Sequence, residues 1–173
     1  MFYQVSLGFI DLIEGKIYHE DIKPQNILIK NGVYKLTDFG ISQHADKFEI
    51  SAIRKGTLLY MPPEKLKSPK YVPTAQSEMF SLGITLFETI FGHHPYLKNK
   101  PADYKEYLKM LQTATVRSIS SLKQDFPNSS LAFDRLIRVL MRMIELNTIK
   151  RLSLHELKEY ITKDEPFPSI IVR

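Results

Sequence analysis

Residues 75–91 constrain the fold more than any other stretch. Met79, Phe80, Leu82, Ile84, Leu86, Phe87, Ile90 and Phe91 place apolar side chains around most of one helical circumference. Such a helix has no face for water, so the rest of the chain must wrap it. Three helical stretches beyond it can do so, at about 101–113, 129–144 and 153–162. The last opens on Ser153-x-x-Glu156, a capping box in which each side chain satisfies the other residue's free N–H. Ahead of it, Phe2, Val5, Phe9, Leu12 and Ile13 recur at three- and four-residue spacing, predicting a helix over 2–13 that Gly15 can end.

Between these helices the pattern changes. Ile27-Leu28-Ile29 and Val33-Tyr34-Lys35-Leu36 are runs too short for helices, and Asn31-Gly32 between them is a two-residue hairpin turn. Residues 42–74 hold many breakers (Gly56, Pro62, Pro63, Pro69, Pro73), which predicts mostly loop with one short helix after Pro63. The expected class is α+β, mostly helical, with one small antiparallel hairpin. Its domain spans 1–162, followed by a tail over 163–173 in which Pro166-Phe167-Pro168 cannot continue a helix.

Composition narrows the class further. A chain of 173 residues with 43% hydrophobic content can bury a core of its own. It has no cysteine, which excludes disulfide frameworks and thiolate metal sites. No apolar run reaches the roughly 18 residues a membrane span needs. No positive charge precedes Asp11, against a cleaved signal peptide. The net charge of +5 is spread along the chain and reads as a solvated surface, without a nucleic-acid partner. The expectation is a soluble intracellular unit, cytoplasmic or nuclear.

Chemistry concentrates in His19-Glu20-Asp21-Ile22-Lys23-Pro24-Gln25-Asn26, followed twelve residues after Asn26 by Asp38-Phe39-Gly40. The first segment presents a carboxylate, an ammonium and an amide, and the hairpin returns a second carboxylate beside them. One carboxylate with one amide oxygen suits Mg²⁺, which takes oxygen ligands and fills its shell with water and phosphate. A carboxylate next to a lysine suits a hydroxyl attacking a phosphoryl group. Taken singly, each Asp or Asn reads equally as turn or surface charge.

The paired motifs resemble the catalytic loop and metal-binding loop of the eukaryotic protein kinases, H-R-D-x-K-x-x-N and D-F-G. Gly56-Thr57-x-x-Tyr60-Met61-Pro62-Pro63-Glu64 resembles G-T-x-x-Y-M-A-P-E, and Glu78-x-Phe80-Ser81-Leu82-Gly83 resembles D-x-W-S-L-G. Gly92-His93-His94-Pro95-Tyr96 resembles G-x-x-P-F, and Lys150-Arg151-Leu152-Ser153 matches the arginine motif before the last helix. Lys23-Pro24 points to the Ser/Thr-directed branch. The resemblance implies the kinase C-terminal lobe, with ATP and Mg²⁺ as cofactors and a protein as substrate. It also implies Asp21 as catalytic base, Lys23 as γ-phosphate partner, and Asn26 and Asp38 as Mg²⁺ ligands. Leu28 would lie beneath the adenine, and Thr57 would bridge base and lysine. His19 and Phe39 would be packing residues under the site. Glu64 and Arg151 would form a buried ion pair tying the activation segment to the helical core. The His93-His94 pair, with no cysteine or carboxylate cluster, reads as a structural turn.

Two departures from the family carry expectations. Glu20 stands where many members have an arginine that receives an activation-loop phosphate. Like charges at about 4 Å cost roughly 4 kcal/mol at an effective dielectric of 20. Phosphorylation of Ser42, Ser51 or Thr57 is therefore not expected to activate this protein by that route. Glu78 for Asp keeps the charge but adds a methylene. The second departure is that no G-x-G-x-x-G occurs, so the chain reads as a fragment without the small lobe, poorly active alone. The alternative is a non-catalytic kinase-like module that binds partners.

Overall fold

The computed structural model describes residues 1–47, 55–68, 70–114, 116, 119–126 and 130–163. Helix α1, Phe2–Glu14, buries Phe2, Val5, Phe9 and Ile10 on one face. Gly15 follows it with an ordinary negative φ, and Lys16 takes the left-handed conformation (φ 58°). Strand β1, Ile17–Tyr18, leads into the loop that carries Asp21. A 3-10 turn, Pro24–Asn26, then opens the hairpin of β2, Ile27–Lys30, and β3, Val33–Leu36. Asn31 (φ 52°) and Gly32 (φ 76°) both sit left-handed, as the mirror-image turn of a two-residue hairpin requires. The register pairs Ile27 with Leu36 and Lys30 with Val33. Gln4 of α1 accepts the Tyr34 N–H at 2.8 Å, seating the hairpin on that helix.

A second strand pair, absent from the sequence expectation, joins β1 to β4, Gln43–His44. Two residues a side are too few for any periodicity to register. Helix α2, Pro63–Lys67, is the short helix expected after Pro63. Helix α3, Ala75–Phe91, is the central one, capped by a Thr74–Ser77 box and ended by Gly92 in the left-handed conformation (φ 76°). Met79, Phe80, Leu82, Ile84, Leu86 and Phe87 are all fully buried. A Cβ at Gly83 would fall 2.7 Å from the Met143 Cβ, so this glycine lets two helices touch.

The cover consists of α4, Tyr104–Thr113, α5, Ile119–Gln124, α6, Leu131–Met143, and α7, Leu154–Thr162. Helix α5 was not expected. Helix α4 begins later than predicted because Asp103 caps it, accepting from Lys105 N and Glu106 N, and α6 begins at its Ser130 cap. The Ser153–Glu156 capping box of α7 is present. Helices α1 and α7 close on each other through an edge-on Phe2–Tyr160 contact (5.8 Å) and a Lys158–Glu14 ion pair. Among the described residues no helix is long and apolar enough to cross a membrane. Most of the tail, residues 164–173, and Ser51 lie outside the described residues.

Candidate active site

The loop after β1 is fastened from beneath by α3. His19 is 1% exposed, and its N–H donates to the Glu78 carboxylate at 2.8 Å. The next N–H, of Glu20, donates to the same carboxylate at 3.1 Å. The extra methylene of glutamate therefore still lets position 78 reach the loop. Burial drives the Glu78 carboxyl up to about 7, against the two N–H donors and the Lys65 charge that favour its ionised form. Two turns further along α3, Thr85 donates its hydroxyl to the Ile22 carbonyl at 3.1 Å. The His19 ring completes the anchor: Nε2 donates to the Thr37 carbonyl (2.9 Å) while Nδ1 accepts the Asp21 N–H (3.3 Å).

Asp21 is the hub. Its Oδ2 accepts from Lys23 Nζ at 2.6 Å, and its Oδ1 accepts from both the Thr57 N–H and the Thr57 hydroxyl at 2.7 Å. Lys23 Nζ also donates to the Thr57 hydroxyl at 2.8 Å, closing a triangle of carboxylate, ammonium and hydroxyl. Asn26 lies beneath, donating its amide to the Asp21 carbonyl (2.9 Å) and more weakly to Oδ2 (3.3 Å). Burial raises the Asp21 pKa, but the Lys23 and Thr57 hydrogen bonds and the Lys23 charge outweigh it and hold the group below the usual carboxylate value. The Asp21 carboxylate is thus ionised at neutral pH and oriented from three sides.

Asp38 reaches this neighbourhood along the hairpin. Thr37 N–H donates to the Asn26 carbonyl at 2.9 Å, so the residue before Asp38 is paired with Asn26. Asp38 itself is exposed and left-handed (φ 64°), its Oδ1 accepting the Gly40 N–H at 3.4 Å. No hydrogen bond among the described residues uses the Asn26 Oδ1. Asn26 and Asp38 offer oxygen donors only, and the described residues contain no group of three or more His, Cys, Asp or Glu able to hold a metal. A hard cation that fills its shell with water and phosphate fits such a pair. Leu28 is 59% exposed on β2. Phe39 meets His19 at a tilt (5.0 Å between centroids, 48° between planes) but is 46% exposed, so it is less enclosed than a packing role predicts.

The segment from Gly56 onward is fixed by contacts along its length. Gly56 (φ 99°) passes so close to the loop that a Cβ there would lie 2.5 Å from the Glu20 carbonyl oxygen. Tyr60 donates its hydroxyl to Glu88 of α3 at 2.6 Å, and Ser81 donates to the Tyr60 carbonyl at 2.8 Å. The Glu64–Arg151 pair is present and two-pronged, at 2.7 and 3.1 Å, with Arg151 1% exposed over the Phe80 ring. His94 is a strut, as its turn suggested: Nε2 donates to the Leu59 carbonyl, Nδ1 accepts the Tyr96 N–H, and burial pushes its pKa down to about 4.

One contact was not visible in the sequence. Lys65 Nζ meets Glu20 Oε2 at 2.9 Å with both side chains about 95% buried (6% and 5% exposed). A lysine following Pro-Pro-Glu carries no local signal of burial; only the tertiary approach of α2 to the loop shows it.

The chain matches the protein kinase domain family over residues 1–161. It is 42% identical over 92 residues to a Wee1-like protein kinase of Oryza sativa subsp. japonica, covering 53% of this chain and 17% of that protein. It is 42% identical over 99 residues to the MAP kinase kinase MKK1/SSP32 of Saccharomyces cerevisiae, covering 57% and 19%. It is 29% identical over 154 residues to the serine/threonine-protein kinase atg1 of Dictyostelium discoideum, covering 87% and 21%. The chain thus spans about a fifth of the length of these relatives. With the match running through both polar loops, the central helix and the Arg151 turn, the chain belongs to the protein kinase domain family.

Proposed function

We propose that this protein transfers the γ-phosphoryl group of ATP to a serine or threonine hydroxyl on a protein, and that the present residues form the large, C-terminal lobe of that machinery. The observation that carries the reading is the Asp21–Lys23–Thr57 triangle. Asp21 orients the substrate hydroxyl and accepts its proton as the hydroxyl oxygen bonds to the γ-phosphorus and the bond to ADP breaks. Its low pKa makes it an orienting acceptor that takes the proton late. Lys23 offsets charge on the transferring oxygens, and Thr57 fixes the distance between the two. Asn26 and Asp38 would hold Mg²⁺, which supplies charge neutralisation at the phosphates when bound. Leu28, exposed on the hairpin, offers an apolar surface for an adenine ring. The relatives named for serine/threonine-directed activity support the substrate class.

The alternative, a non-catalytic partner-binding module, drew its case from Glu20 and from the lack of a G-x-G-x-x-G, and only the first of these meets a structural observation. Pairing with Lys65 gives Glu20 a structural occupation and weakens that case. The test is transfer of labelled phosphate from Mg·ATP to a mixed Ser/Thr peptide pool, by the 1–173 chain and by a form extended with in-frame upstream coding sequence. The extended form is expected to transfer, Asp21→Asn to lower the rate by about 10²–10⁴-fold, and the 1–173 chain to turn over little. An inactive extended form, or one indifferent to Asp21→Asn, would overturn the reading.

A further inference from the structure

We propose that Lys65 is a positioning residue for the candidate base: by holding the Glu20 carboxylate it fixes the backbone turn that delivers Asp21, coupling helix α2 to the reacting centre. The inference rests on the phosphoryl-transfer reading for the purpose of Asp21, and on the geometry alone for the coupling.

Glu20 has a left-handed backbone (φ 63°), which a residue with a Cβ keeps only where its surroundings over-determine it. Three ties do so. Glu78 accepts its N–H, the Gly56 backbone passes too close to its carbonyl to admit a side chain, and Lys65 takes its side chain. The first two grip the backbone, and among the described residues the third is the single grip on the side chain. The other carboxylate oxygen, Oε1, is buried with no hydrogen-bond partner among the described residues. Among the described residues Lys65 therefore supplies the compensation for a carboxylate whose side chain is 5% exposed.

The charge pattern strengthens the case. Glu20, Lys65 and Glu78 line one pocket, and the Glu20 charge opposes ionisation of Glu78. No second cation is bonded to either among the described residues. Lys65 itself is held in place, with its Nζ 5.4 Å from the Tyr71 ring centroid and its residue 5% exposed. Removing the ammonium would leave two buried acids facing each other across the N–H of Glu20. The relief available is to move Glu20 away from Glu78, and Asp21 is the next residue. Its bonds to the Thr57 N–H and hydroxyl are the first that such a movement would stretch.

The experiment is residue-resolved amide hydrogen exchange on the 1–173 chain. Lys65→Met is expected to lower protection of the Glu20 and Thr57 amides by at least about tenfold, leaving the amides of the α3 and α6 core unchanged. The charge-reversed double variant Glu20→Lys, Lys65→Glu is expected to restore both. Unchanged Glu20 and Thr57 protection in a folded Lys65→Met chain would overturn the proposal. If Lys65→Met fails to fold, the double variant decides alone: a folded double variant with normal Thr57 protection supports the ion-pair strut, and one with lost protection overturns it. Phosphate transfer is read separately. Coupling without transfer in the extended form would keep this inference and remove the kinase reading, and transfer without coupling would do the reverse.

Discussion

Glu78 is a carboxylic acid buried at the foot of the loop, facing the Glu20 carboxylate, the Lys65 ammonium and two backbone N–H groups. Its folded pKa of about 7 exceeds the ordinary value of 4.5. Between those values the folded state keeps a proton that the unfolded chain has released. Ionisation in place therefore opposes folding, and stability falls as pH rises from 4.5 to about 7, then levels. The full penalty is of order 3 kcal/mol. Glu78→Gln is expected to abolish that decline, measured as urea unfolding free energy against pH; a decline of equal size in both proteins would contradict the assignment. Glu156, held down to about 2 by Arg142 and the Ser153 cap, acts in the opposite sense and below this window. At this scale the meeting of Asp21, Lys23 and Thr57 was legible because their motifs resemble a family pattern in which those positions converge. Lys65 was not, because what buries it is forty-five residues away in sequence.

Among elements, the decisive junction is where α2 meets the turn before α7. Arg151 binds Glu64 of α2, and also the carbonyls of Gln76 in α3 (2.7 Å) and Glu145 after α6 (2.8 Å). Were the Glu64 pair its one tie, Arg151→Ala would loosen the activation segment alone. The carbonyl contacts make it a tie across three elements, so its removal is expected to destabilise the whole fold by about 3–5 kcal/mol. Glu64→Gln leaves those carbonyls satisfied and keeps one acceptor for the guanidinium, so about 1–3 kcal/mol is expected, concentrated in α2. Urea unfolding of both variants checks the order; equal costs would mean the carbonyl contacts contribute nothing. The long helices were legible because their periodicity spans several turns. The β1–β4 pair was not, since two-residue strands arise only when distant loops meet. Helix α5, ISSLKQ, has too little apolar content to stand out.

At the scale of the molecule, the hairpin of β2 and β3 exposes apolar side chains on both of its faces. Leu28 and Ile29 are each 59% exposed, Val33 43% and Phe39 46%, all on or beside the hairpin. Apolar exposure at the edges and faces of a two-stranded ribbon invites association. The 1–173 chain is expected to self-associate through it, and Ile29→Lys to shift sedimentation velocity profiles toward monomer. A monomeric parent chain would remove the premise. The helical character and the central position of residues 75–91 followed from the impossibility of solvating that helix on any side.

That same helix holds the loop of Asp21 through Glu78 and Thr85, and the segment of Tyr60 through Ser81 and Glu88. Both are mounted on a single rod, as two instruments are bolted to one bench. A thermal excursion of the rod carries them together and cancels from the spacing between them. Precision here comes from shared mounting, with no need for the surrounding cover to be rigid.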